Sequence, residues 1–424
     1  SSTSTSTILS LNSYNQQVSY LSSTSWKPII NLGTGTLSFG DANSRATTYF
    51  NFTGTGTLKY VGTGTEQLAY YNGSTYGSYS NVTGGTIEVA SGTLVLHALG
   101  VTSNPNLVID AGATLNVTSD TTAYATLFGS LTGSGTYLYT GNYSYDANAT
   151  VSIGNNNSSF TFNGTFATVG ATVTGLTIQK KGTGTFYCVC NQSGTLANFY
   201  VKADGGIFQF GDGVTAQTLY TPTISSISAG ATLEMNVPNV TNAVISSTGT
   251  IAAGSTLKID QGSYTDTTTY ISSAGALNLD IGSGGTFISQ APSTQEKFAN
   301  LSGAGTINIP TGKSFTVATT GTSTFSGAIT GAGTFNVSIT TTGTQIFSGT
   351  TAGYTGTISF ANMVSGSVAR IASNNFLQAG STYTIPLGVT MQLGALDGSN
   401  LSIGNVALNF TTTNIVQGGG ILRN

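Results

Sequence analysis

Short runs of alternating apolar and polar residues recur along the whole chain. Leu37-Ser38-Phe39, Leu58-Lys59-Tyr60 and Phe208-Gln209-Phe210 are three of them. A period of two is typical of a β-strand with one buried face. Glycine, which supplies the positive φ of a tight corner, precedes many of these runs. The pattern therefore predicts an all-β chain of short strands joined by sharp corners.

Two glycine motifs repeat with a nearly fixed spacing. The motif Gly-x-Thr-Leu or a close variant begins at Gly92, Gly112, Gly230, Gly254, Gly275 and Gly388. The motif Gly-x-Gly-Thr-apolar begins at Gly33, Gly54, Gly133, Gly182, Gly303 and Gly331. Neighbouring copies lie about 20–24 residues apart, a period typical of one coil of a parallel β-helix. A pair of β-sandwiches is the rival fold, but sandwiches would not repeat a motif at a fixed phase.

The domain organisation follows from where this period begins. Residues 1–30 lack the glycine spacing and are predicted to form an N-terminal cap or assembly segment. Residues 31–424 are predicted to form the β-solenoid repeats.

Composition excludes several classes of function. Only 6% of the 424 residues are charged, the net charge is −3, and the longest basic run is Lys180-Lys181. Nucleic-acid binding needs a basic stripe, so we exclude it. No apolar stretch approaches the roughly 18–20 residues of a transmembrane helix. The Ser/Thr-rich start is interpreted as the processed end of a secreted protein, which predicts an extracellular, cell-surface location.

Glycosylation is permitted by many Asn-x-Ser/Thr sequons. They lie at Asn51, Asn72, Asn81, Asn116, Asn142, Asn148, Asn156, Asn157, Asn163, Asn191, Asn239, Asn300, Asn336, Asn400 and Asn409. Chance alone gives fewer in a chain this rich in Asn, Ser and Thr, although the excess is modest. These residues are candidate attachment sites on a surface glycoprotein.

One stretch resembles a known repeat family. Leu176-Thr177, the run Lys181 to Phe186 and the run Gly205 to Gly211 match the autotransporter-associated β-strand repeat of secreted bacterial passenger domains. A weaker copy runs from Gly331 to Ile358. The resemblance implies a right-handed parallel β-helix on or outside a cell surface, often with an adhesive role.

Candidate catalytic or metal-binding residues are few. Inverting glycosidases need two carboxylates roughly 6.5–9.5 Å apart. Asp260 and Asp280 could stack on adjacent coils, but both are interpreted as turn formers. His97 is the single histidine, so neither a catalytic triad nor a multi-histidine metal site is expected, and His97 is interpreted as an outward polar residue. We predict no catalytic residue, no metal and no cofactor.

Cysteines and tyrosines each allow two interpretations. Cys188 and Cys190 lie two apart on one strand, with Cα atoms roughly 6.5–7 Å apart, near the limit for a disulfide. They are interpreted as buried small apolar residues, with a redox pair or a metal site as the alternative. Tyrosines cluster at Tyr70, Tyr71, Tyr76 and Tyr79, and at Tyr137, Tyr139, Tyr143 and Tyr145. They either stack between coils or form an aromatic surface for glycans or a partner.

Together these features predict a structural protein rather than an enzyme. It would form an extracellular surface layer, fibre or matrix as a homo-oligomer or polymer. An adhesin that binds carbohydrate is the alternative, and a polysaccharide-degrading β-helix enzyme is less favoured. With so few titrating groups, the fold is expected to survive strong acid.

Overall fold

The fold is a β-solenoid. The computed structural model describes residues 8–22, 28–44, 48–71, 76–77, 85–97, 104–119, 126–141, 148–169, 175–194, 198–216, 222–241, 243–267, 277–291, 296–340, 342–379, 382–394, 396 and 406–410. Every regular element within these ranges is a β-strand. Parallel strands stack as a solenoid with roughly 22 residues per coil. This confirms the predicted all-β fold and coil length.

The first of two compact units comprises Ser1–Asp212 and Gln217–Pro222. Its strands are β1 Ile8–Ser10, β2 Gln16–Val18, β3 Ile29–Asn31, β4 Thr36–Phe39, β5 Thr48–Tyr49, β6 Asn51–Thr53, β7 Thr57–Tyr60, β8 Thr65–Tyr71, β9 Tyr76–Gly77, β10 Thr86–Val89, β11 Thr93–His97, β12 Asn106–Ile109, β13 Thr114–Ser119, β14 Thr126–Phe128, β15 Ser130–Gly133, β16 Thr136–Gly141, β17 Asn148–Ile153, β18 Phe160–Phe162, β19 Thr165–Val169, β20 Gly175–Lys180, β21 Thr185–Cys188, β22 Asn191–Gly194, β23 Asn198–Ala203 and β24 Ile207–Phe210.

Three stacks of parallel strands form the faces of this unit. Face 1 contains β2, β4, β7, β10, β12 and β15 in succession. Face 2 contains β8, β11, β13, β16 and β19. Face 3 contains β14, β17, β20 and β23. Within each face, a strand of one coil pairs in parallel with the corresponding strand of the next described coil.

The second unit comprises Gly213–Ala216 and Thr223–Asn424. Its strands are β25 Thr223–Ile227, β26 Thr232–Asn236, β27 Ala243–Ile251, β28 Thr256–Asp266, β29 Asn278–Ser289, β30 Glu296–Phe298, β31 Asn300–Gly303, β32 Thr306–Ile309, β33 Ser314–Val317, β34 Thr322–Phe325, β35 Ala328–Gly331, β36 Thr334–Val337, β37 Thr344–Phe347, β38 Thr357–Ser359, β39 Val368–Ile371, β40 Thr382–Ile385, β41 Thr390–Leu393 and β42 Ala407–Phe410. Thr256, Asn278 and Asn300 are paired in register, so two successive coils each hold 22 residues.

The glycine–threonine motif sets which residues face inward. Its threonines stack in register on face 1 and are half-buried on the outside; they are Thr36, Thr57 and Thr86. The residues that follow them point inward and are buried; they are Leu37, Leu58 and Ile87. Each coil thereby adds one apolar layer to a continuous core.

Gly133 and Gly135 show why the motif needs two glycines. Gly133 has a φ of 100°, a conformation that other residues rarely adopt. A Cβ on Gly135 would lie 2.5 Å from Ile109 Cγ2 and 2.6 Å from the Ala113 carbonyl oxygen. The first glycine makes the corner, and the second leaves room for the neighbouring coil.

Aromatic side chains extend the core of the second unit from coil to coil. The Phe298 and Phe315 rings lie 5.2 Å apart, and the Phe315 and Phe335 rings lie 5.7 Å apart. All three side chains are fully buried. Burying each phenylalanine contributes about 1.5–3 kcal/mol, so stacking of coils stabilises the unit.

The first coil differs from the coils that follow. Leu9 in β1 is 53% exposed, whereas its register partner Ile30 is 2% exposed. Val18 in β2 is 37% exposed, whereas its partner Phe39 is fully buried. Leu9 and Val18 occupy inward columns but have no coil over them in the described structure. We call this surface, formed by β1 and β2, the open coil.

The sequence predicts an N-terminal cap or assembly segment at 1–30 and β-solenoid repeats at 31–424. Strands β1 and β2 of segment 1–30 already pair in parallel with β3 and β4. The division into a cap at 1–30 and repeats at 31–424 stays a prediction.

Candidate functional site

A row of three charged side chains and one serine crosses the outer face of the second unit. Glu234, Lys258, Asp280 and Ser302 are register partners on β26, β28, β29 and β31. They alternate with buried Leu233, Leu257 and Leu279, so strand geometry points them outward. We call these four residues, with Asp260, the charged row.

Lys258 holds the centre of the charged row. Its Nζ lies 2.7 Å from Asp260 Oδ2 and 3.4 Å from Glu234 Oε1. The Ser302 hydroxyl donates a hydrogen bond to Asp280 Oδ1 at 2.9 Å. Burial raises the pKa of Glu234, and a hydrogen bond with Asp260 raises it further, while Lys258 opposes both effects. The arrangement is an ion-pair network that can hold neighbouring strands in register.

The possible stacking of Asp260 on Asp280 does not occur. Asp280 pairs with Lys258, because the coil holds 22 residues rather than 20. Asp260 instead lies beside Gly282, where an added Cβ would come within 2.6 Å of Asp260 Oδ1. The interpretation of both residues as turn formers is wrong, since Asp260 lies inside β28 and Asp280 lies inside β29. These two carboxylates therefore do not form the stacked pair that a glycosidase interpretation requires.

A second acidic pair lies in the interior of the same unit. Asp266 at the end of β28 and Glu296 at the start of β30 are both fully buried. Burial raises the pKa of Glu296 well above its ordinary value, and the Asp266 carboxylate raises it further. Ser289 and Lys313 act in the opposite direction. Like charges at one buried site disfavour ionisation, so Glu296 holds its proton to a higher pH than an exposed glutamate does.

Sequence reasoning missed this pair for a clear reason. The two residues are 30 positions apart and belong to different stacks of strands. The path of the chain between β28 and β30 brings Asp266 and Glu296 together, and no local sequence pattern predicts that path.

Lys180 is a buried cation in the first unit. Its ammonium donates hydrogen bonds to the backbone carbonyls of Lys181 and Gly182, the latter at 3.1 Å. Burial lowers the pKa of Lys180 to about 8. The side chain lies over Gly154, where a Cβ would come within 3.0 Å of Lys180 Cε. Lys180 therefore closes a corner by satisfying carbonyls.

The two cysteines form a disulfide. Cys188 and Cys190 are bonded to each other, and their Cα atoms lie 4.9 Å apart. The predicted separation on a straight strand is wrong, because β21 ends at Cys188 and the chain turns. Their predicted burial is confirmed.

Tyr137 and Tyr139 belong to the core rather than to an aromatic surface. Both side chains are buried, and Tyr137 packs against Phe166 of the next coil with ring centroids 5.8 Å apart. Tyr137 therefore packs between coils, but its partner ring is a phenylalanine rather than the tyrosine that inter-coil stacking predicted.

The other tyrosines of the two clusters are described only in part. Tyr70, Tyr71 and Tyr76 lie in a hairpin in which β8 and β9 pair antiparallel. Their side chains, and all of Tyr79, Tyr143 and Tyr145, lie outside the described residues.

His97 ends β11, opposite Thr118, and its side chain lies outside the described residues. Across the described ranges, no group of three or more His, Cys, Asp or Glu side chains could hold a metal ion. Within the same ranges, no helix is long and apolar enough to cross a membrane.

The candidate glycosylation sites fall into different environments. Exposed side chains belong to Asn156, Asn157, Asn163, Asn191 and Asn239, and half-buried ones to Asn51, Asn116, Asn300 and Asn336. Asn148 and Asn409 lie in strands, but their side chains are outside the described residues, as are Asn72, Asn81, Asn142 and Asn400 entirely. Glycosylation at all of them stays a prediction.

No protein-family model and no curated protein matches this chain.

Proposed function

We propose that the protein is a structural component of an extracellular assembly, such as a surface layer, fibre or matrix, built by association of copies of the chain. The observation that carries this proposal is the open coil, where Leu9 and Val18 of the inward columns are exposed. Exposed apolar residues on a strand at the edge of a described sheet can pack against a strand of another chain.

The chemistry of the open coil supports association. Proteins that must stay monomeric protect edge strands with charged residues, especially lysine. Residues 8–22 contain no charged side chain, and Ile8, Tyr14 and Tyr20 are also exposed there. A head-to-tail contact at such an edge is heterologous, and it produces fibres when it does not close into a ring.

Two further features support an extracellular assembly, the first its location and the second its association. Disulfides persist in oxidising compartments, and Cys188–Cys190 is a disulfide. The outer positions are mostly Ser, Thr and Asn rather than charged residues, which allows solenoids to pack side by side with little repulsion.

Light scattering and electron microscopy test this proposal. We expect the protein to form oligomers or filaments whose size increases with concentration. Val18→Lys should shift it towards monomers, because a charge would enter the inward column. Gln17→Lys is the matched control, since Gln17 is the outward neighbour in β2 and pairs with outward Ser38. A wild-type protein that stays monomeric at high concentration would refute the proposal.

A further inference from the structure

The sequons of the described structure differ in what their side-chain amides do. Some amides bridge adjacent coils within a strand stack, and others project from corners into solvent. N-glycosylation replaces one of the two Nδ2 hydrogens with a sugar. A sugar on an amide that bridges coils therefore conflicts with the folded inter-coil contact.

Asn300 and Asn336 are bridging amides. Asn336 Nδ2 donates to Ser314 Oγ at 2.8 Å and also points at Thr316 Oγ1 at 3.5 Å. Asn300 Nδ2 donates to Asn278 Oδ1 at 2.6 Å. Both side chains are half-buried on strands. Neighbouring strands lie about 4.8 Å away, which leaves little room for a sugar ring at the amide nitrogen.

Asn163 and Asn239 are projecting amides. Asn163 lies in the corner between β18 and β19, and Asn239 lies in the corner between β26 and β27. Both are exposed, and neither side chain makes a hydrogen bond within the described structure. A substituent on either nitrogen would extend into solvent without breaking an inter-coil contact.

Asn156 and Asn157 are exposed but engaged. Asn156 Nδ2 donates to Asn106 Oδ1 at 3.0 Å, and its Oδ1 accepts from the Ser158 backbone N–H at 3.1 Å. Asn157 Oδ1 accepts from the Thr183 backbone N–H at 3.0 Å, and its φ is 61°. Both side chains therefore bond to other coils, at Asn106 and at Thr183.

The structure assigns Asn163 and Asn239 as glycan-bearing residues, and Asn300 and Asn336 as sequons that stay unmodified. The donor is a lipid-phosphate-linked oligosaccharide. Asn Nδ2 forms a bond to the anomeric carbon as the bond from that carbon to the phosphate oxygen breaks. The lipid phosphate leaves with the electron pair, and Nδ2 releases one proton. This inference rests on the proposed extracellular location.

Occupancy measurement is the first test. The chain is secreted from a eukaryotic host behind a host signal peptide, deglycosylated enzymatically in ¹⁸O-water, and mapped by peptide mass spectrometry. We expect severalfold higher occupancy at Asn163 and Asn239 than at Asn300 and Asn336. Equal occupancy at all four, or unmodified Asn163 and Asn239, would overturn the assignment.

A second measurement does not depend on the host. Asn163→Cys and Asn336→Cys variants of the folded protein are treated with a polymer-linked maleimide without reductant. The Asn163→Cys variant should label rapidly with no change in Tm, and the Asn336→Cys variant should label severalfold more slowly or lose thermal stability. Equal labelling rates with unchanged Tm would overturn the assignment. Light scattering on the same unlabelled material tests assembly separately, so failure of one proposal is distinguishable from failure of the other.

Discussion

Replacing Glu296 with glutamine should remove a large part of the pH dependence of stability. Glu296 is fully buried against Asp266, and burial raises its pKa well above that of an exposed glutamate. A raised carboxyl pKa means that the folded state binds the proton more tightly than the unfolded state does. The contribution of Glu296 to stability is therefore fully present below the unfolded pKa of about 4.3, and it is lost as the pH rises towards the folded pKa.

The size of this effect follows from linkage. Each unit by which the pKa of Glu296 is raised in the folded state costs about 1.4 kcal/mol at a pH above both values. A loss of 1 kcal/mol lowers Tm by about 2–4 °C in a unit of this size. Each unit therefore corresponds to a fall of roughly 3–6 °C between acidic and neutral pH. Glu234 acts in the same direction, because burial also raises its pKa.

Thermal melts at pH 4.5 and pH 7.5 would test this reasoning. Wild-type Tm should fall between the two values, and the Glu296→Gln variant should show a smaller fall and a higher Tm than wild type at pH 7.5. Glu88→Gln is the control, because Glu88 lies on an outer face 2.6 Å from Lys59 Nζ and its loss should not reduce the fall. A wild-type Tm that rises with pH, or an unchanged slope in Glu296→Gln, would refute the argument.

Burial lowers the pKa of Lys180 to about 8, so its deprotonation favours the folded state and wild-type stability should rise between pH 8 and pH 10. Denaturant titration should show that Lys180→Met abolishes this rise. Gly333→Ala should lower Tm strongly, since its Cβ would lie 2.5 Å from the Lys313 carbonyl oxygen, whereas Gly321→Ala should be tolerated because nothing lies within 4 Å of its Cβ. Incubation with uronans and neutral glycans should give no cleavage products, and reproducible cleavage that disappears in Asp260→Asn would contradict the structural assignment.

Local patterns predicted the strands and their stacking, because alternation and corner glycines are encoded in consecutive residues. Leu37 and Leu58 lie in the predicted inward columns. The register between coils was harder to predict from the sequence, since it depends on the number of residues in each corner. For that reason the possible stacking of Asp260 on Asp280 was two residues away from the observed register, in which Lys258 is the partner of Asp280.

The candidate sites were harder to predict than the fold. Whether a side chain is buried at a corner depends on the path of the chain after the strand ends. The turn after Cys188 and the burial of Glu296 both depend on that path. Tyr137 was left with two interpretations, stacking between coils or an aromatic surface, and its burial, in alternation with half-buried Leu138, places it in the core.

Unequal coil lengths make this fold a modular scaffold. The coil from Thr57 to Thr86 holds 29 residues and the next, from Thr86 to Asn106, holds 20, yet both are paired in register on face 1. The nine additional residues are accommodated between faces without displacing a strand. Corners can therefore gain or lose peptide segments while the core columns stay unchanged. Such a chain can diversify its outer chemistry through insertions, independently of the packing that keeps it folded.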